Sequence, residues 1–410
     1  MNAFGRPEKT DAPALTAEAA DFESLLEASS LGAAEAQAVR RHTPETFRHL
    51  LERGWQDPDE GRADAPRSPA RGTDMAASSA APDPNDSSIT TNTVTLWGPP
   101  RSGKSTLLAS LARAALNPEF GRWNLFPHDR QSRDDLASLT HSFFRKRVFP
   151  NATATEQRAV RCTLAGDVTG TRFAHRRGWW RQRHGDKRNV LEFQIALRDM
   201  PGEAFDAHTF TAPQRSNELV RDLAHSQGMI FLFDPARAMQ TSDRHSTERN
   251  NADYFTEVLS AVAAEVHQAG LRDGSKLPHR LALCLTKFDA PEVLSLAREN
   301  GFLHMNPHSG VPEVKNAQAF FQYFARTYPQ DGLSEILSQV QSLFHPDRVG
   351  HFVLSSLGLF VPPGRPFTFE HSSKVCFQDG QERFVDPPLP TGVMEPLLFL
   401  QGIDGAPRKG

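Results

Sequence analysis

The sequence predicts an α/β fold, a mostly parallel sheet with helices on both faces, and three observations predict it. Apolar runs of strand length alternate with stretches of helical periodicity between residues 90 and 402, the order produced by parallel strands joined through helical crossovers. Two of those runs, 229–233 and 281–285, are apolar without interruption, which suits strands buried on both faces. The first run, 93–97, leads into a Gly-rich turn that opens directly onto a helical pattern, a strand–loop–helix unit.

Taken in order, residues 15–55 carry helical signals only. Phe22, Leu25 and Leu26 share a face that stops near Gly32; Thr43-Pro44 then gives a cap and first-turn pair, with Phe47, Leu50 and Leu51 as apolar face and Gly54 as stop. So short a helical stretch buries little by itself, and 1–55 reads as a helical adaptor or a tail. Residues 56–89 turn to Pro, Ala, Asp, Ser and Gly, the composition of a disordered linker. A compact domain is expected over 90–402, with 403–410 as a tail.

Within it, Leu107, Leu108, Leu111, Ala112 and Ala115 fall at helical spacing after the first turn. Ser132 and Asp135 read as the cap of a helix carrying Leu136, Leu139, Phe143 and Phe144, which ends before Pro150. Residues 158–165 and 189–198 read as a strand pair joined by a long basic connection. A helix around 217–225 precedes the 229–233 strand, and Phe255, Val258, Leu259, Val262 and Val266 stripe a long helix before 281–285. The stretch 291–349 is read as a helical insertion with patterns at 314–328 and 333–344; Phe352, Val353 and Leu354 give the last core strand. Residues 358–390 are Pro-rich and read as a surface excursion, and 394–400 as a closing helix.

Composition narrows the function classes. The net charge of −3 gives no global bias toward nucleic acid or anionic membrane. Cys162, Cys284 and Cys376 show no CxxC spacing, and His304, His308 and His345 are dispersed, so neither a zinc site nor a disulfide framework is expected. There is no signal-peptide core and no apolar run of about 18 residues, so a cytoplasmic protein is expected. The connection 172–188 gathers Arg172, Arg176, Arg177, Trp179, Trp180, Arg181, Arg183, Lys187 and Arg188. It reads first as a solvated tip or protein-docking surface, and second as a nucleic-acid or membrane contact.

The chemistry lies at the ends of the strands. Gly98, Gly103, Lys104 and Ser105 satisfy G-x-x-x-x-G-K-[ST], in which backbone N–H groups close around phosphates and the lysine reaches the terminal ones. Arg101, Ser102 and Thr106 complete that cradle, and the Ser105 hydroxyl is placed to ligate Mg²⁺. The 189–198 strand ends in Asp199-Met200-Pro201-Gly202: the carboxylate can hold Mg²⁺ through water, and the Gly202 N–H can touch a γ-phosphate. The 281–285 strand ends in Thr286-Lys287-Phe288-Asp289. An aspartate there can accept both N–H donors on the Watson–Crick edge of guanine, where adenine offers the opposite pattern. Lys287 is expected along the base, while Ser355 and Ser356 let backbone N–H groups approach the guanine carbonyl.

This ordered set resembles the Ras-like, translation-factor-related class of P-loop GTPases over about residues 90–402. Within that class it is most similar to the bacterial double-GTPase families of conflict and signalling systems, through residues 98–105, Phe149-Pro150-Asn151-Ala152-Thr153, Asp199-Met200-Pro201-Gly202-Glu203, Thr286-Lys287-Phe288-Asp289 and Met394-Glu395-Pro396-Leu397-Leu398. The resemblance implies a Ras-like G domain that binds GTP and GDP with Mg²⁺. It implies a switch threonine, Thr153 in preference to Thr155, closing on the metal beside Ser105 and Asp199, and switch segments at 148–157 and 199–216. Lys104, Thr153 and Glu203 then form the catalytic set. Glu203 departs from the class, which carries glutamine to orient the attacking water, so slow hydrolysis is expected, with help from a protein partner. That partner is a second GTPase or an effector, met through the N-terminal helices or the switches. Two rivals stand beside this reading: a P-loop ATPase or phosphotransferase, and a nucleotide-bound scaffold that never turns over.

Overall fold

The computed structural model describes residues 90–150, 158–167, 190–199, 213–239, 251–307, 309–378 and 380–402. The N-terminal segment 1–55, the linker 56–89, the basic connection 172–188 and the tail 403–410 lie outside the described residues. Seven strands form one sheet in the order β2-β3-β4-β1-β5-β6-β9: β1 (Thr90–Trp97), β2 (Arg122–Pro127), β3 (Arg158–Asp167), β4 (Val190–Asp199), β5 (Ser226–Phe233), β6 (Arg280–Leu285) and β9 (Val349–Val353). β1 runs parallel to β4 and β5, and β5, β6 and β9 continue parallel. β3 is antiparallel to both β2 and β4.

The apolar runs occupy the centre, as expected: Met229 to Phe233 and Leu281 to Leu285 are buried, flanked by helices on both faces. On one face lie α1 (Lys104–Ala114), α2 (Arg130–Thr140) and α9 (Met394–Leu400); their Leu107, Leu108, Leu139, Leu397 and Leu398 meet Val94, Leu96, Ile230 and Leu232. On the other lie α3 (Pro213–His225), α5 (Asn251–Gln268), α6 (Pro291–Glu299), α7 (Ala317–Thr327) and α8 (Leu333–Leu343). A short α4 (Pro235–Met239) follows β5. The insertion is only partly helical, since a small hairpin, β7 (Leu303–Met305) with β8 (Pro312–Val314), separates α6 from α7. Phe320, Phe321 and Phe324 of α7 and Ile336 and Val340 of α8 share one core with Phe255, Val258 and Leu259 of α5. Each such side chain contributes about 1.5–3 kcal/mol of burial.

Two local readings change. Strand β2 was not expected. It exists because Trp123 stands opposite Gly166 of β3, where an added Cβ would meet the indole at 2.1 Å, and its Nε1 donates to the Phe120 carbonyl at 2.7 Å. The cap of α2 is Asp129, not Ser132: its Oδ1 accepts the Ser132 N–H at 2.6 Å, and that bond holds the carboxyl below its ordinary range. Ser132 instead turns its hydroxyl to accept the Arg161 N–H of β3 at 3.0 Å.

The excursion after β9 is also more ordered than its proline content suggests. It contains a hairpin, β10 (Val375–Gln378) with β11 (Gln381–Phe384). Phe384 lies edge-on to Phe143 at 5.3 Å and to Phe149 at 4.8 Å, and its N–H donates to the Arg147 carbonyl at 2.9 Å. Among the described residues no helix is long and apolar enough to cross a membrane.

Candidate nucleotide site

Sheet register assembles the site. Phe231 pairs with Trp97, Phe233 with Leu285, and Leu285 with Val353, so the loops that follow β1, β5, β6 and β9 leave the sheet at one edge. That carboxyl edge is where open α/β sheets bind ligands.

The loop after β1 keeps its shape through its own backbone. Gly98 has φ of +154°, and a Cβ there would lie 2.8 Å from the Leu232 carbonyl oxygen, so the close approach to β5 needs glycine. Gly103, at φ of +97°, is the N-cap of α1. Arg101 adopts φ of 62°, a left-handed conformation uncommon away from glycine and frequent at functional loops. Lys104 is buried and donates from Nζ to the carbonyls of Gly98 and Pro99, both at 2.9 Å. The Ser102 hydroxyl is buried with no hydrogen-bond partner among the described residues. Behind the loop, the buried Tyr254 hydroxyl is hydrogen-bonded to the Gly98 backbone.

A glycine cradle, a buried ammonium folded over it, an unanswered hydroxyl and a helix N-terminus fit a phosphate chain. The Mg²⁺ set fits in part: Ser105 opens α1 at this edge, and Asp199 ends β4, its backbone paired with Arg158. The side chain of Asp199 and all of Thr153, Thr155, Gly202 and Glu203 lie outside the described residues.

The end of the site expected to read the base is built from three strands. Thr286 fastens the β6 loop to β5, donating from its N–H at 2.9 Å and from Oγ1 at 3.0 Å to the Phe233 carbonyl. Lys287 takes φ of 54° and sends Nζ to Asp234 Oδ2 at 2.5 Å. Its ammonium is therefore held by Asp234. The Ser355 hydroxyl donates to Asp289 Oδ1 and accepts the Gly358 N–H at 2.7 Å. Burial raises the Asp289 pKa above its ordinary range, offset only in part by the Ser355 bond, its own backbone N–H, and the Lys287 and Lys374 charges. One carboxylate oxygen is thus fixed by Ser355, orienting the group as a planar acceptor. Ser356, next to Ser355, is half-buried.

A Double-GTPase 2 family model matches residues 92–337. The chain belongs to the Double-GTPase 2 family. Its sheet order and phosphate loop make it a P-loop NTPase of the Ras-like kind, and this Double-GTPase 2 protein is a GTPase that binds guanine nucleotide. No curated protein matches it. Among solved structures, a chain of a signal recognition particle receptor SRb-GTP/SRX complex from Chaetomium thermophilum is similar at 14% identity and a TM-score of 0.30, covering 66% of this chain and 95% of that one. That similarity is too loose to bear on function.

Three residues around the candidate site escaped the sequence reading: Asp234, which holds Lys287; Tyr254, behind Gly98; and Lys374, whose charge acts on Asp289. None sits in a recognisable motif. The signal for Asp234 was present, since an aspartate directly after an unbroken apolar strand stands at the ligand edge.

Proposed function

We propose that this chain is a regulatory GTPase that binds GTP with Mg²⁺, hydrolyses it slowly and changes its switch segments when the γ-phosphate leaves. The observation that carries the guanine assignment is the Ser355–Asp289 pair, which presents an oriented carboxylate at the same sheet edge as the Lys104 loop. Guanine offers adjacent N1–H and N2–H donors to such a group; adenine places an unprotonated nitrogen against it and is rejected.

In hydrolysis, water attacks the γ-phosphorus, the bond to the bridging oxygen breaks, and GDP and inorganic phosphate leave. Lys104 exchanges its loop carbonyls for phosphate oxygens, and Gly98, Arg101, Ser102, Gly103 and Thr106 supply the cradle. Mg²⁺, when bound, neutralises charge on the β- and γ-phosphates, and Ser105, Thr153 and Asp199 are the residues that would hold it. Glu203 can accept a hydrogen bond from the attacking water, but cannot donate one to the developing charge and adds repulsion beside it. Catalysis is therefore left incomplete until a partner supplies a cation, a contribution of about 10³–10⁵ in rate in this chemistry. A second GTPase or an effector fits that role, met through the helical adaptor 1–55 or the switches 148–157 and 199–216. The setting we infer is a bacterial cytoplasmic signalling or conflict system.

Phosphate release from GTP and from ATP by the full chain tests this. Release from GTP well below about one turnover per second, with none from ATP, is expected; fast unassisted turnover, or equal use of ATP, would refute it.

A further inference from the structure

The excursion after β9 brings a cation to the base-reading end. The Lys374 side chain is fully buried, and its Nζ donates to the Pro387 carbonyl at 2.8 Å. The Asp386 carboxylate lies 3.8 Å away, close enough for attraction but too far for a hydrogen bond. A buried ammonium with so little local compensation needs another carboxylate.

The fold brings the Asp289 carboxylate within electrostatic reach of Lys374, beyond ion-pair distance, by lacing the strap to the loop that holds it. Ser355 exchanges backbone hydrogen bonds with Thr391, Leu389 donates to the Leu357 carbonyl, and Val385 donates to the Lys374 carbonyl. Gly358 makes the return possible: it has φ of +69°, and a Cβ there would lie 1.8 Å from the Leu389 carbonyl oxygen. The strap bearing Lys374, Asp386 and Pro387 is thus laced to the Ser355 that holds Asp289. Burial draws the Lys374 pKa down to about 8, against opposing attraction from Asp386 and Asp289, with Arg113 adding repulsion. Asp289 in turn feels Lys287 and Lys374. Lys287 is spoken for, with its ammonium on Asp234 and 39% of its side chain exposed.

We propose that Lys374 is a specificity-determining positioning residue: its buried ammonium is the fixed positive charge against which Asp289 presents two acceptor oxygens to guanine. The inference rests on the guanine reading above and deepens it. The motif aspartate is therefore incomplete without a residue delivered from far along the chain, and the excursion is part of base recognition.

The consequence is a pH signature. Asp289 accepts guanine's N–H donors as a carboxylate, so affinity falls as pH drops through its pKa. Removing a nearby positive charge raises that pKa and brings the fall to higher pH. The groups facing this pair are Lys287 and Ser355 around Asp289, and Asp386 and Arg113 around Lys374.

Equilibrium titration of the full chain with fluorescently labelled GDP and labelled ADP from pH 5 to pH 8, with folding followed by circular dichroism, tests it. Lys374→Met is expected to raise the midpoint of the acid loss by about one pH unit, so that GDP weakens by up to about tenfold at the acid end of the titration and little near neutrality. ADP binding, which rests on the 98–105 loop, stays unchanged, and Lys374→Arg keeps both the GDP affinity and the midpoint. Should Lys374→Met not fold, Asp386→Asn is read instead. That change removes the carboxylate competing for the lysine and is expected to lower the midpoint. An unmoved midpoint, or parallel loss of GDP and ADP, overturns the role of Lys374. A wild-type protein that binds GDP and ADP alike would instead overturn the guanine reading, which separates the two failures.

Discussion

The expected phosphate loop gathers nearly all its groups from residues 98–106, with Tyr254 behind Gly98, whereas the proposed base-reading end joins Asp289 to Ser355 across 66 positions and Lys287 to Asp234 across 53. In the first, backbone conformation does the positioning: Gly98, Arg101 and Gly103 hold positive φ, and Lys104 is folded onto its own loop. In the second, the strand pairings Phe233 with Leu285 and Leu285 with Val353 do it, by aligning three strand ends. A local loop tolerates distortion of the sheet better than a pair of side chains whose meeting depends on register. The two ends should therefore fail separately, and each substitution below is chosen to touch one and spare the other.

The largest separation is expected at Lys104. Lys104→Met removes an ammonium that makes two charge-assisted hydrogen bonds, each worth about 1.5–3 kcal/mol. Binding of GDP and of ADP should both fall by about a hundredfold or more, measured by titration with the fluorescent nucleotides, while any remaining preference between them is kept. Loss of GDP alone would mean that the lysine serves the base end, contrary to its contacts. A smaller effect is expected at Ser355. Ser355→Ala deletes the donor to Asp289 and the acceptor for Gly358 N–H, so GDP should weaken about tenfold with ADP unchanged. Equal weakening of both nucleotides would show that the serine supports the whole edge rather than the base.

Sequence legibility follows the same division. The 98–105 loop was readable because its chemistry needs residues at fixed short spacing, and the central strands because 229–233 and 281–285 are apolar throughout. The hairpin pairing of β3 and β4 and the closing helix α9 were readable for the same local reasons. Strand β2 was not, because its pairing depends on Trp123 meeting Gly166, and nothing near either residue announces the other. The cap of α2 was misplaced by three residues because Asp129 and Ser132 are both good capping residues, and the choice was decided by Arg161 on another strand. Lys374 was illegible for the strongest form of this reason. It lies in a Pro-rich stretch, and only the return of the chain past Gly358 and Thr391 brings it to the loop of Asp289.

The same contrast identifies Arg147 as the residue linking the excursion to the segment before Thr153. It is one of three described non-glycine residues at positive φ, with Arg101 and Lys287. Its carbonyl receives the Phe384 N–H, and Phe384 also meets Phe149. The excursion thus touches the loop of Ser355 through Thr391 and the start of the expected switch through Phe384.

The central claim is that Asp289 selects guanine, and competition among GDP, ADP and xanthosine diphosphate tests it most directly, for the wild-type chain and for Asp289→Asn. The wild type should prefer GDP over ADP by about a hundredfold or more. In the variant the carboxamide offers a donor where guanine also has donors, so GDP should weaken, and xanthosine diphosphate, with a carbonyl in place of the 2-amino group, should strengthen. A GDP preference unchanged by Asp289→Asn would contradict the assignment.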